Sequence, residues 1–163
     1  MSYPTKKLGE TDLRVLILVK AMYLRGCVLA RSKDEISRML TIHTFDNATE
    51  MGLKLLAKIK NIAPQKGKDH WEFYDLLEKA YAKGIFKDQI SALHQQRNRV
   101  HHAGDIPAIE TIVKYHAHIE DFLKDICKKD FGVSYEELSL SSLITNAELQ
   151  GLFRQAEQSF ERE

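Results

Sequence analysis

Proline occurs only at positions 4, 64 and 107, and between these points apolar side chains recur every three or four residues. Proline breaks helix interiors, whereas a repeat near 3.6 residues places side chains on one helical face. Alternating β-branched runs, the mark of a half-buried strand, are scarce. The chain therefore reads as all-α: an up-and-down bundle of four to five long helices with a C-terminal helical appendage. Residues 10–130 make the bundle, and residues 131–163 are a helical extension of the same domain.

Punctuation sets the expected boundaries. The first helix runs from about Thr11 to Arg31. The second is N-capped by Ser32, with Glu35 three residues on completing a capping box, and ends near Ile62 ahead of Pro64. "APQKGKD" is a loop whose Lys66 and Lys68 read as a solvated tip. A third helix, about Asp69 to Lys83, carries Trp71, Tyr74, Leu77 or Glu78, and Tyr81 on one side and closes at Gly84. The fourth spans about Lys87 to His102 and stops at Gly104. A fifth begins at Pro107, a favourable first helical residue, and reaches about Lys129. "FGVSYEELSLSSLI" is a connection with one short helical turn. A last helix is capped by Asn146 and lines up Leu149, Leu152, Phe153, Ala156 and Phe160.

Composition narrows the function classes. With 44% apolar and 29% charged residues, the chain is a soluble folded domain, long enough for a core without disulfides. Lys and Arg number 24 against 23 Asp and Glu, so any contact with nucleic acid must come from local clustering. Cys27 and Cys127 make no CxxC pair, which suits a reducing, cytoplasmic setting. "LRVLILVKAMYLRGCVLA" is interrupted by Lys20 and Arg25 and is too short to span a bilayer, so no membrane partner is expected. Its excess of apolar residues points to core burial plus a subunit contact. No cofactor and no metal are expected: the seven histidines form neither HExxH nor a Cys/His zinc spacing, and GxxxxGK[ST], GxGxxG and GxSxG are absent.

One segment concentrates chemistry-bearing residues: "HQQRNRVHHAGDIP", residues 94–107. Phe86, Ile90, Leu93, Arg97 and Val100 follow one another at helical spacing, so Arg97 stands where leucine is expected. Beside it runs a polar ridge of His94, Asn98 and His101 or His102. A buried guanidinium must be paired or must face a groove, since an unpaired buried charge is very costly. Arginine and histidine at a helix C-terminus also serve the helix dipole, and that is their commoner role. Other helices, however, also interrupt their apolar faces. In the second, the stripe Ile36, Leu40, His43, Asn47, Met51, Leu55, Ile59 and Ile62 is broken by His43 and Asn47, with Glu50 at its edge. In the fifth, His116 breaks the run Ile109, Ile112, Val113, His116, Ile119, Leu123 and Ile126. Singly, each is a satisfied core residue; together they suggest one shared polar pocket, with Asn47, Glu50, His116, His94 and His101 supporting Arg97.

"RNRVHH" resembles the motif of the HEPN superfamily: arginine, a polar residue that is typically asparagine, a few further residues, then histidine near a helix end. Arg97, Asn98 and His102 fit it, and the helical surroundings are similar over roughly residues 10–130. The resemblance implies a metal-independent ribonuclease, a hydrolase acting on RNA, whose two protomers dimerise to face their motifs across a composite cleft. Arg97, His102 and Asn98 are then the catalytic set, and a toxin or defence-system setting with an antitoxin partner is implied as well. The alternative within the superfamily is a non-catalytic module that binds RNA or a nucleotide; outside it stands a purely structural or interaction protein. Some HEPN toxins carry a modifiable tyrosine two residues after the motif histidine, where this chain has Gly104. The paired histidines leave a choice open. Around an ideal helix His101 lies ~40° from Arg97 and His102 ~140° away. Family spacing selects His102, which faces Arg97 only if the last turn unwinds or if the arginine belongs to a second subunit.

Overall fold

The computed structural model describes residues 8–62, 79, 85–144 and 146–160. Among these are five α-helices and no strand: α1 (Glu10–Ala30), α2 (Glu35–Ile59), α3 (Ile85–Ala103), α4 (Ile109–Ile126) and α5 (Ala147–Phe160). A π turn at Cys127–Phe131 and a 3-10 turn at Leu140–Leu143 join the last two. The all-α bundle expected from the sequence is present. The helix expected over Asp69–Lys83 lies outside the described residues apart from Lys79, as do Lys66 and Lys68.

Cap chemistry moves several boundaries. Asp34, not Ser32, caps α2: its carboxylate accepts from the Ser37 N–H at 2.8 Å. The Ser32 hydroxyl bonds that same carboxylate, and together the two serines hold the Asp34 carboxyl down at about 2. A carboxylate accepts from the free first-turn donors as a hydroxyl can, and its charge adds an attraction to the positive end of the helix dipole. α2 closes early, at Ile59, because Asn61 turns left-handed (φ 54°). The Ile62 N–H then returns to the Ala57 carbonyl at 2.8 Å and the Asn61 N–H to that of Lys58 at 3.2 Å, a Schellman turn. At α4 the extended cap is Ala108, while the carbonyl of the buried Pro107 accepts from Arg38 Nη1 of α2 at 3.0 Å.

α2 is the central helix. Lys58 pairs with Asp12 while Phe45 lies against Gly26, so α1 and α2 are antiparallel. Asp46 meets His94 while His43 meets His101, so α3 runs antiparallel to α2. α4 returns beside α3, with the Phe86 and Phe122 rings 5.9 Å apart. Leu16, Val19, Ile42, Phe45, Leu53, Leu56, Leu93, Phe122 and Ile126 make the core, each almost wholly buried. Most of the apolar excess of α1 is absorbed there, and among its large apolar side chains Leu18 alone is exposed. The subunit contact expected of this helix therefore loses its motive. The C-terminal segment docks on α1 through Lys20, whose ammonium donates to the Leu138 carbonyl at 2.9 Å and lies 5.0 Å from the centre of the Tyr135 ring. Asn146 caps α5 as expected, accepting from Glu148 and Leu149. The face of α5 formed by Leu149, Leu152 and Phe153, however, is exposed.

The closest approach of α1 to α2 is set by Gly26, where a Cβ would stand 2.5 Å from the Phe45 ring. That ring is fully buried and cannot retreat. Gly26→Ala should thus lower stability by about 1–3 kcal/mol despite alanine's better helix propensity. Thermal unfolding checks this, and a melting temperature raised by the substitution would refute the tight contact.

Candidate functional site

Arg97 is brought inward as its spacing predicts. Ile90, Leu93 and Val100 of the same stripe are buried, and Arg97 keeps 26% of its side-chain surface open. The charge is paired. Arg97 Nε donates to Oδ2 of Asp46 at 3.0 Å, and Nη1 donates to Oδ1 of Asn98 at 2.9 Å. Asp46 has no exposed surface at all. Its two oxygens also lie 3.1 Å from His94 Nδ1. A carboxylate offers only lone pairs, so Nδ1 presents its hydrogen to Asp46. One buried anion on α2 therefore anchors two side chains of α3.

Asp46 was not among the residues singled out from sequence, and its neighbour Asn47 was. Asn47 is exposed, and the inward face of α2 instead carries Ile42, Phe45, Asp46, Thr49, Leu53 and Leu56. Ile36 and Leu40, expected to lead the buried stripe, are 70% and 47% exposed. The misreading has a physical cause: α2 is flanked by α1, α3 and α4, so its apolar band is wide and two registers fit the same letters. Glu50 is likewise no support for Arg97, because it pairs with Lys54 along its own helix at 2.7 Å. His116 goes elsewhere too. Its half-buried ring packs 5.6 Å from that of Tyr23 and 6.3 Å from that of Phe45, at the edge of the core.

His43 does join the cluster. Its ring lies edge-on to His101 at 5.7 Å, and His101 is edge-on to His102 at 4.7 Å. Burial pushes the His43 pKa down, with Arg97 and His101 adding to the shift against a smaller opposing pull from Asp46. The exposed end of α3 thus carries His101 and His102 beside the half-buried His43 and Arg97. The helix does not unwind before its end. It stays α-helical through Ala103 and stops where Gly104 turns left-handed (φ 68°), its N–H donating to the Val100 carbonyl at 3.2 Å. The unwound last turn that would bring His102 to its own Arg97 is therefore absent.

Chemically, the cluster offers a permanently charged phosphate ligand and imidazoles suited to proton transfer near neutrality. Thiol chemistry has no comparable support: burial pushes the Cys27 pKa up to about 11 and that of Cys127 up to about 12, far from the thiolate range. Among the described residues no group of three His, Cys, Asp or Glu side chains is placed to hold a metal ion. No helix among them is long and apolar enough to cross a membrane.

The depressed His43 pKa predicts a pH dependence of stability. The unfolded chain takes up this proton more readily than the folded one, so stability is whole above the usual histidine range and declines as pH falls through it. Urea unfolding of the wild-type chain and of His43→Gln between about pH 7 and 5 should show a shallower pH slope in the variant. Equal slopes would mean that His43 does not sense its neighbours.

No family model, no curated protein and no solved structure matches this chain.

Proposed function

We propose that the chain is a metal-independent endoribonuclease of HEPN type. The observation that carries this reading is the gathering of an anchored guanidinium and three imidazoles at one open end of the bundle. RNA supplies its own nucleophile. A base takes the proton of the 2′-hydroxyl, the oxygen attacks phosphorus, and an acid protonates the departing 5′-oxygen, which leaves a 2′,3′-cyclic phosphate. Arg97 holds the non-bridging phosphate oxygens, and Asn98 steadies Arg97 through its own side chain. His102 is the motif histidine; ideal helix spacing sets it ~140° around α3 from Arg97 of its own chain, so in this reading its partner is Arg97 of a second copy.

An exposed apolar surface favours such pairing. Ile36 and Leu40 open α2, Ile109 and Val113 open α4, and the Arg38–Pro107 bond holds these two helix starts together. Val113 is 63% exposed. Surfaces of this kind, near a polar site, mark contact regions. The second reading, a non-catalytic RNA-binding module, uses the same anchored guanidinium with no proton transfer by the imidazoles.

Incubation with labelled single-stranded RNA in EDTA distinguishes the two. Cleavage with cyclic phosphate ends supports the nuclease; a mobility shift without cleavage supports the binding module; neither result contradicts both. Arg97→Ala and His102→Ala should each lower cleavage by about 100-fold or more, and His101→Ala by less. Mixing the two inactive variants should restore about a quarter of wild-type activity, because half the dimers are mixed and each holds one intact site. If His101→Ala is the inactive variant and mixing restores nothing, the site is built within one chain around His101.

A further inference from the structure

Arg97 has five N–H hydrogens, and two are committed: Nε to Asp46, and one on Nη1 to Asn98. Among the described residues Nη2 has no hydrogen-bond partner. A guanidinium grips a phosphate either side-on, through Nε and Nη2, or end-on, through its two terminal nitrogens. Asp46 closes the side-on fork. It also places a full negative charge 3.0 Å from the guanidinium in a site with no exposed carboxylate surface, where the field is little screened.

We propose that Asp46 is the positioning residue of this site: it forces end-on capture of an RNA phosphate by Arg97 and masks the arginine charge from the rest of the polyanion. Masking has a purpose in turnover. A bare arginine holds every phosphate of a nucleic acid with equal readiness, substrate and product alike. A balanced one lets the cut strand depart, and what it offers the phosphorane is fixed geometry and not net charge. His94 completes the arrangement, because its Nδ1–H touches both Asp46 oxygens and limits rotation of the carboxylate. The role in turnover rests on the ribonuclease reading; the masking of Arg97 does not.

Asp46→Asn tests both parts. Binding is measured with an all-2′-deoxy oligonucleotide, which lacks the nucleophile, across a range of salt concentrations; cleavage is measured with the matching RNA. Unmasking should tighten binding at low salt and steepen the dependence of log affinity on log salt by about 0.7, the release expected for one more contact to a single strand. Cleavage at saturating RNA should fall about 10- to 100-fold from loss of orientation. Lower melting temperature with unchanged salt slope and unchanged turnover would overturn the proposal and leave Asp46 a core ion. If wild-type chain does not cleave RNA, the ribonuclease reading fails, while the salt slope still decides whether Asp46 masks Arg97. Should Asp46→Asn not fold, NMR of the arginine side chains of the unaltered protein gives the answer. The deoxy-oligonucleotide should perturb the Arg97 Nη hydrogens and leave Nε–H in place. An Nε signal that moves with the Nη signals would mean that phosphate displaces Asp46, against the proposal.

Discussion

A carboxylate with no exposed surface sits between the central helix and the one that carries the Arg/His motif, and the placement of the cluster depends on it. Leaving Asp46 unpaired in the core would cost several kcal/mol. Only packings of α2 on α3 that bring Arg97 and His94 to Asp46 avoid that cost. Apolar contacts between two helices tolerate a slip of one turn far better than a buried ion does, so this contact sets the register. With it set, His43 falls opposite His101 and the imidazoles collect at a single end of the bundle.

The same end divides into a dry layer and a wet one. Asp46 and His94 are buried, Arg97 and His43 are half-buried, and His101 and His102 stand in solvent. Such a gradient suits a site in which an inner layer fixes geometry while an outer layer exchanges protons with water or substrate. The rigid end of α3 serves this purpose: Gly104 stops the helix cleanly, so His101 and His102 leave the last turn at fixed angles. Nearby, the starts of α2 and α4 expose Ile36, Leu40, Ile109 and Val113 to solvent.

Much of this was legible in the letters. Proline scarcity and helical spacing specify the bundle, and the run from Phe86 to Val100 correctly turns Arg97 toward the core. Asn146 and Gly104 act as the cap and stop that their types suggest. Boundaries failed where chemistry between neighbours decided them: Asp34 outcompetes Ser32 as a cap because a carboxylate suits the helix start better. The residue that matters most, Asp46, was hidden because a helix packed on several sides has no single stripe. Choosing Asn47 over Asp46 was an error of one position in a band of apolar residues. The demand of Arg97 for a buried anion was the available signal, and Asp46, four residues after Ile42, is where the α2 sequence meets it. His116 and Glu50 misled for a different reason: polar residues near apolar ones also serve ring packing and same-helix ion pairs, and spacing alone does not separate these uses.

The central claim is that the Asp46–Arg97 contact, and not apolar packing alone, sets the site in place. A double-mutant cycle on folding stability tests it most directly, using Asp46→Ala, Arg97→Ala and the double variant. If the contact operates as described, removing Asp46 alone costs about 3–5 kcal/mol, removing both costs clearly less than the two losses added, and the coupling is about 1.5–3 kcal/mol. Additive losses, with coupling near zero, would contradict it.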